Sequence, residues 1–224
     1  QVAILEKNPD AAMLCGAVNY WYSWTGKEED RRKDKILEVG APQDSIVHPP
    51  NLFFHLYPLS RGVAPTPSDL LLRKDVVALV GGFEEKFNGI FQLYEDQAFL
   101  NKIYLHFPVY VTSRCWVNYR VHPDSCVSTV TKDGQYNMVR RFFLEWFEEY
   151  LIQCGKKGSG VWRLLQEALF PFRAISADRM QEPDTKEIKW LLRAAKGNTA
   201  NLVLPPDDPE LVRIVIEKAG TKTS

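Results

Sequence analysis

The chain has 224 residues, of which 45% are hydrophobic and 25% are charged, so it can form one sizeable domain with or without a small appendage. Lys+Arg and Asp+Glu both number 28, so no global field draws the chain toward nucleic acid or an acidic membrane. Four scattered cysteines without a CxxC pair disfavour a zinc site, a redox motif and a disulfide framework. No apolar run approaches the roughly 20 residues of a membrane span. No signal-peptide pattern is present, and a cytoplasmic location is the expectation.

A helical pattern opens the chain at residues 1–7, and Asn8-Pro9 ends it because a residue before proline disfavours helical backbone. The first residue is Gln1 rather than methionine, and we expect a fragment of a longer protein. Residues 11–24 are predicted to form a buried strand that runs into an aromatic edge. The tyrosines and tryptophans of that edge can stack on sugars or bases, although such rings more often fill a core or a rim.

The sequence signals for secondary structure are weaker in residues 27–60. The mixed charges of residues 27–35 predict a solvated turn or a short helix face, and residues 36–50 are predicted to be a loop. The apolar residues 51–60 fit either a helix or a strand. A short buried strand is predicted at residues 69–72 and a brief helix at residues 74–80.

Gly81 is expected to close that brief helix in a left-handed conformation. A helical period begins at Tyr94 and stops before Pro108. This helix is predicted to have an apolar side, with Phe99, Leu100, Ile103 and Tyr104. Its polar side is predicted to contain Gln97, Asn101 and Lys102. Two short strands are then predicted, at residues 108–113 and 115–121.

Residues 136–153 predict a strongly amphipathic helix. The apolar residues that recur in it at four-residue spacing are Met138, Phe142, Trp146 and Tyr150. Arg140 and Arg141 beside this face raise the possibility of contact with a membrane surface. The glutamates of the same helix argue against that contact and favour packing on the preceding domain.

A second helix is predicted to end at Pro171, and capping signals at Asp184 and Asp208 predict two more helices. The chain is therefore divided into a first domain, residues 1–131, and an α-helical extension, residues 132–224.

Glu95 and Asp96 stand where the helix after Tyr94 begins. Carboxylates in a first helical turn gain about 0.3–1 kcal/mol from the helix dipole, which by itself explains acidic residues here. The loop before them points to chemistry instead, because its glycines allow close approach of a ligand and its aromatic residues stand where polar ones are expected. A carboxylate desolvated by such rings can accept a proton from a hydroxyl.

Four segments of the chain have the order and spacing of motifs in one enzyme family: PSDLLLR at 67–73, GGFEEKF at 81–87, YEDQ at 94–97 and YRVHPDS at 119–125. Over residues 1–128 the chain resembles about the second half of the catalytic domain of family 2 glycosyltransferases. The resemblance implies an α/β fold of the GT-A type, here incomplete, with a mixed sheet and flanking helices. It also implies transfer of a sugar from a nucleotide-sugar donor to an acceptor hydroxyl with inversion.

The same resemblance implies roles for individual residues. Asp96 would be the general base that deprotonates the acceptor hydroxyl, and Glu95 would orient the site. The segment that borders the acceptor contains Gly81, Gly82 and Phe83. Arg120 and His122 match a segment that can lie near the donor phosphates or the metal. Alternatively, Arg120 pairs with an acidic neighbour, and His122 is a loop histidine with local hydrogen bonds.

Members of this family hold a divalent cation, Mg²⁺ or Mn²⁺, through an Asp-x-Asp motif that ends the nucleotide-binding half. No Asp-x-Asp occurs in residues 1–224, so we expect the cation's ligands mostly outside this chain and no certain metal ligand within it. The implied partners are a nucleotide-sugar donor and a glycan, lipid-linked or protein acceptor, without nucleic acid. A position at the inner face of a membrane stays open.

Two other functions compete with this interpretation. A non-catalytic carbohydrate-binding or scaffold domain would keep the fold without the chemistry. A Cys-His hydrolase that uses Cys115 or Cys126 with His122 is disfavoured, because these residues lack the nucleophile-elbow pattern.

Overall fold

A computed structural model describes residues 1–178 of the chain, with side chains through Arg173. Residues 1–169 form one compact unit. The helices predicted after Asp184 and Asp208 lie outside the described residues.

The described helices, in chain order, are α1 (Val2–Lys7), α2 (Glu28–Arg31), α3 (Lys74–Leu79), α4 (Glu95–His106), α5 (Cys126–Lys132), α6 (Tyr136–Gln153) and α7 (Gly160–Asp178). The strands are β1 (Met13–Trp21), β2 (Lys35–Leu37), β3 (Ser45–Val47), β4 (Leu71–Leu72) and β5 (Val109–Arg120). Short 3₁₀ segments lie at Ser23–Thr25, Asn51–Phe54, Pro67–Asp69 and Gly89–Tyr94.

The strands form one curled mixed sheet around β1. β1 pairs in parallel with β5, from Met13 opposite Val109 to Trp21 opposite Arg120. β2 and β4 pair antiparallel with β1, and β3 pairs antiparallel with β5. A parallel pair requires a long crossover connection, which here contains α3 and α4. The predicted mixed α/β architecture with flanking helices is confirmed at this level.

The loop prediction for residues 36–50 and the strand predictions for residues 108–121 were wrong in detail. The predicted loop contains the short strands β2 and β3, and the two short strands predicted after Pro108 are one continuous strand, β5. Polar residues next to the predicted junction are tied to Asp44, which accepts hydrogen bonds from Thr112 Oγ1 at 2.9 Å and Ser113 Oγ at 2.7 Å. The strand therefore continues through the predicted junction at residue 114.

Gly16 lies where the register between β1 and β5 shifts. A methyl group at this position would overlap the carbonyl oxygen of Arg114 and lie 2.9 Å from the methyl group of Thr112. We expect Gly16→Ala to lower the free energy of unfolding by about 1–3 kcal/mol in urea titrations, because the strands must move apart.

Gly134→Asn is the control for that substitution. Gly134 has a φ of 66°, an added Cβ meets nothing within 4 Å, and asparagine tolerates the left-handed region. Its stability should change by less than about 0.5 kcal/mol, as for other surface substitutions. Equal stability of Gly16→Ala and wild type would show that the sheet has room at this position.

The predicted division of α4 into an apolar and a polar side was wrong, because every residue from Gln97 to Leu105 is buried. Phe53 lies between helices, with its ring centroid 6.0 Å from that of Tyr104 in α4 and 5.4 Å from that of Phe147 in α6. Enclosure on several sides leaves no solvent-facing side for the polar residues of α4. Of these polar residues, Lys102 pairs with Glu84 within the protein.

Helix α6 packs on the segment before α4, where Phe142 stacks on Phe91 at 4.0 Å and Phe143 on Tyr94 at 4.9 Å between ring centroids. This packing differs from the predicted stripe, since Met138 is 46% exposed. The buried residues of the helix are Val139, Phe143, Leu144, Trp146, Phe147 and Leu151.

The predicted stop at Pro171 was wrong. Helix α7 continues through this proline to Asp178, although proline removes one backbone hydrogen bond from a helix. Among residues 1–178, none of the helices combines the length and the apolar character that are needed to cross a bilayer.

Candidate functional site

An open cleft of about 750 Å³ lies at the beginning of α4. Its walls come from β1, β5, the segment between β3 and β4, and the beginnings of α4 and α5. The lining residues with polar or aromatic side chains include Tyr20, Tyr57, Arg61, Thr66, Phe83, Gln92, Glu95, Asp96, Gln97 and Tyr119.

Two of the aromatic walls follow from the sheet register. Tyr20 of β1 lies directly opposite Tyr119 of β5 in the parallel ladder, and residues paired in this way project to the same face of a sheet. Their ring centroids are 5.3 Å apart. The strand ends thus bring together two rings that are 99 positions apart in the sequence.

Asp96 lies half-buried in the first turn of α4, where its Oδ1 accepts a hydrogen bond from the backbone N–H of Gln97 at 2.6 Å. The pKa of this carboxyl group is raised to about 6, mainly because the surrounding protein removes water from it; hydrogen bonding with Gln97 lowers the pKa, and the charge of Glu95 adds a smaller increase. At neutral pH the group is largely ionised and is a stronger base than an ordinary aspartate. It can therefore take a proton from a hydroxyl group in the cleft.

This pKa makes the stability of the protein depend on pH. The folded state binds the Asp96 proton more tightly than the unfolded state, whose pKa is near 3.8. The contribution of Asp96 to stability is therefore greatest below about pH 4 and declines as the pH rises to about 6. We expect Asp96→Asn to be as stable as wild type at pH 4 and about 2–3 kcal/mol more stable at pH 7 in urea unfolding.

The matched control is Asp75→Asn, which changes an exposed aspartate in the first turn of α3. Loss of its favourable dipole interaction should lower stability slightly at pH 7, by about 0.3–1 kcal/mol. A gain of equal size in both variants would contradict a specific effect of Asp96.

Phe83 and Glu95 line the same cleft as Asp96. The ring of Phe83 stacks on Phe99 of α4 with centroids 4.3 Å apart and remains 53% exposed. Gly81 and Gly82 are not among the lining residues, but both have positive φ, 73° and 66°, and they form the turn that carries Phe83 to the cleft. The left-handed conformation predicted for Gly81 is confirmed.

This turn is held by a buried lysine. Lys102 is 1% exposed, and its Nζ donates to the carbonyl oxygen of Gly82 at 2.5 Å and to Glu84 Oε1 at 2.8 Å. The ion pair joins the glycine turn to α4, the helix that also carries Asp96. Sequence reasoning placed Lys102 on a polar face, and no local signal distinguishes it from an exposed lysine.

A network of three tyrosines and an arginine supports the part of the cleft wall that contains Tyr57. The Tyr57 hydroxyl forms hydrogen bonds with those of Tyr94 and Tyr136, the latter at 2.7 Å. Arg140 donates to the carbonyl oxygen of Pro58 at 3.0 Å and lies over the Tyr57 ring, 5.5 Å from its centroid. Burial raises the pKa values of Tyr57 and Tyr94, so both stay neutral hydroxyl groups. Arg140 thus supports the cleft from α6.

His122 lines a different, smaller pocket of about 320 Å³ with Trp24, Asp30 and Ser128. The His122 ring meets the edge of Trp24 at 6.4 Å between centroids. Arg120 lies over the Trp24 ring at 5.2 Å, and within residues 1–173 it has no ion pair with an acidic residue. The structure thus brings together Phe83, Glu95 and Asp96 but separates them from His122.

The described residues do not fit a divalent-cation site. Across them, no group of three or more His, Cys, Asp or Glu side chains is placed to hold a metal ion. Asp30, the carboxylate near His122, is engaged by Lys33 at 2.7 Å and by Thr25 at 2.6 Å. No chemical step is therefore assigned to a cation held by these residues.

The cysteines give no support to a hydrolase. Desolvation and the charge of Asp96 raise the pKa of Cys126, which disfavours a nucleophilic thiolate. The Cys115 thiol is 3.7 Å from the carbonyl oxygen of Val117.

Comparison of the chain with models of known protein families, with curated proteins and with solved structures found no match.

Proposed function

We propose that the chain is the acceptor-side part of an inverting family 2 glycosyltransferase of the GT-A fold. One observation carries the proposal: a carboxylate with raised basicity, Asp96, lines an open cleft that has aromatic walls and a volume sufficient for a sugar residue. The order of the four sequence motifs supplies the family, and the mixed sheet with flanking helices is compatible with it.

In this proposal Asp96 accepts the proton of the acceptor hydroxyl while the hydroxyl oxygen attacks the anomeric carbon of the donor. The bond between that carbon and the nucleoside diphosphate breaks with its electron pair on the leaving group, so the configuration at the anomeric carbon inverts. Desolvation of Asp96 supports this role, because it brings the carboxyl pKa toward the operating pH of a general base.

The donor is a nucleotide sugar bound mainly by residues outside this chain, together with Mg²⁺ or Mn²⁺. The acceptor is a glycan, a lipid-linked sugar or a glycosylated protein, and it enters the cleft beside Phe83. The exposed ring of Phe83 offers a flat apolar surface of the kind on which sugar rings stack. Glu95 accepts hydrogen bonds from the acceptor or orients the base.

A second function is carbohydrate binding without catalysis. The observation that favours it is the set of aromatic side chains around the cleft, which can recognise a sugar without any nucleotide. This function predicts glycan binding by a protein that releases no nucleoside diphosphate.

The test uses the full-length protein with a panel of nucleotide sugars, candidate acceptors and Mg²⁺ or Mn²⁺. We expect release of a nucleoside diphosphate that depends on the acceptor. Proton NMR of the product should show an anomeric configuration opposite to that of the donor. Retention of configuration would contradict the proposed mechanism, and glycan binding without turnover would favour the second function.

A further inference from the structure

The part of the cleft wall that contains Tyr57 carries positive charge. Arg61 is exposed and lines the cleft, and among the described lining residues it is the only basic one. It forms no ion pair within residues 1–173. The guanidinium group of an arginine is charged at neutral pH, and its planar fork of N–H groups matches the oxygens of a phosphate or a carboxylate. Arg61 therefore presents a cation to a molecule in the cleft.

The turn that carries Arg61 is held in place by backbone contacts. The N–H of Tyr57 donates to the carbonyl oxygen of Gly62 at 2.8 Å, and the N–H of Gly62 donates to that of His55 at 2.8 Å. A methyl group on Gly62 would overlap the backbone of His55 and of Gly40, so the turn packs closely on a second segment. Because Arg61 adjoins Gly62, these contacts fix the place from which its side chain reaches the cleft.

A second guanidinium group is held against the same wall. Arg140 is half-buried and lies over the ring of Tyr57. Its hydrogen-bond partners within residues 1–173 are neutral oxygens, the carbonyl of Pro58 at 3.0 Å and the hydroxyl of Tyr94 at 3.4 Å, and no carboxylate among these residues pairs with it. Charges removed from water are usually paired with an opposite charge. An anionic ligand would supply this part of the wall with its countercharge.

The beginning of α4 has the opposite charge. Glu95 and Asp96 line the cleft there, in the first turn of the helix. Carboxylates repel an anion and favour a neutral hydrogen-bond donor such as a hydroxyl group. The cleft therefore fits a ligand with hydroxyl groups in one part and an oxyanion in another. A sugar that carries a phosphate or a carboxylate group has both, and its ring can lie on the exposed ring of Phe83.

We infer that the acceptor sugar of this cleft is anionic and that Arg61 binds its phosphate or carboxylate group. The word acceptor rests on the proposed function, whereas the binding of an anionic sugar does not. The oxyanion accepts charge-assisted hydrogen bonds from Arg61, and the hydroxyl groups of the sugar lie toward Glu95 and Asp96. Arg140 adds a favourable electrostatic field from behind the ring of Tyr57. Arg61 is thus a specificity-determining residue that distinguishes charged from neutral sugars.

The test uses the 224-residue chain in titrations followed by saturation-transfer NMR. The neutral probes are the methyl glycosides of glucose, galactose and N-acetylglucosamine, and the charged probes are the 6-phosphates of these sugars, glucuronate and galacturonate. At least one charged sugar should bind about tenfold more tightly than its neutral counterpart, the value of one hydrogen bond to a charged group. Equal binding of charged and neutral sugars, or no binding of any probe, would overturn the inference.

Substitution of Arg61 assigns the preference to one side chain. Arg61→Gln should weaken binding of the charged sugar about tenfold and leave that of its neutral counterpart unchanged. Arg61→Lys keeps the charge without the planar fork and should keep part of the preference. Arg32→Gln is the matched control, because it changes an exposed arginine that does not line the cleft, and it should bind as wild type does. A full preference in Arg61→Gln would overturn the inference.

The diphosphate of a nucleotide sugar is the other possible source of an oxyanion. Binding of UDP-glucose that depends on Arg61, without binding of any sugar phosphate or uronate, would place Arg61 on the donor and overturn the inference. In the full-length protein, sugar transfer with an unchanged acceptor KM in Arg61→Gln would sustain the proposed function while this inference fails. Binding of a charged sugar that depends on Arg61, in a full-length protein that transfers no sugar, would sustain this inference while the proposed function fails.

Discussion

Replacement of Asp96 by asparagine is expected to lower kcat for glycosyl transfer by about 10²–10⁴-fold in the full-length protein, the usual contribution of a general base. Asparagine has nearly the same shape but cannot accept the proton of the acceptor hydroxyl. Binding of donor and acceptor should change little, so the loss belongs to kcat rather than to KM. Initial rates at several acceptor concentrations measure the two constants.

The pH dependence of turnover by the wild-type protein is a second test of Asp96 as the general base. Since the base must be ionised, kcat/KM should rise with pH and level off above about 6, the pKa of Asp96. Glu95→Gln, which changes the neighbouring carboxylate, should reduce turnover less than Asp96→Asn. If Asp96→Asn kept more than a tenth of the wild-type turnover, Asp96 would not be the base.

Glu84→Ala is expected to destabilise the protein by about 3 kcal/mol, because it leaves the charge of Lys102 buried without its carboxylate partner. Lys102→Met should cost less, about 1 kcal/mol, since Glu84 is partly exposed and can turn toward water while only the carbonyl of Gly82 loses its donor. Urea unfolding at pH 7 measures both values. Removal of Glu84, the more exposed partner of the ion pair, is therefore expected to reduce stability more than removal of Lys102.

The double variant Glu84→Ala/Lys102→Met tests the origin of this asymmetry. It removes the unpaired charge and should be more stable than Glu84→Ala alone. Glu85→Ala is the matched control, because Glu85 is the exposed neighbour and has no ion pair within residues 1–173. Its stability should lie within about 0.5 kcal/mol of wild type. A double variant no more stable than Glu84→Ala would exclude a buried charge as the cause.

Elements with strong local signals could be predicted from the sequence. The buried strand at residues 11–24 is β1, and the helix that begins at Glu95 is α4, because acidic residues at its start and Pro108 beyond its end are sufficient local signals. The break predicted within β5 was wrong, since its polar residues are satisfied by Asp44, 68 residues earlier in the chain. A local sequence pattern does not reveal a hydrogen-bond partner that lies so far away in the chain.

The cleft could be predicted only in part. Asp96, Glu95 and Phe83 were candidates because of their positions in ordered motifs, and they do line one cleft. Tyr57 and Thr66 were missed, because nothing in residues 51–67 indicates that they approach the beginning of α4. Packing of α6 on the preceding domain was favoured, but the position of Arg140 over the ring of Tyr57 was not predicted. A contact between distant segments has no local signature in one sequence.

Helix α4 carries Asp96 in its first turn and, through Lys102, fixes the turn that presents Phe83. Thr66 and Tyr57 belong to a separate backbone segment that also lines the cleft. Two segments that can vary independently in sequence therefore line one cleft. In the proposed function, exchange of residues 57–66 between related chains would alter the cleft wall and leave Asp96 unchanged, an arrangement that suits diversification of specificity under a constant chemistry.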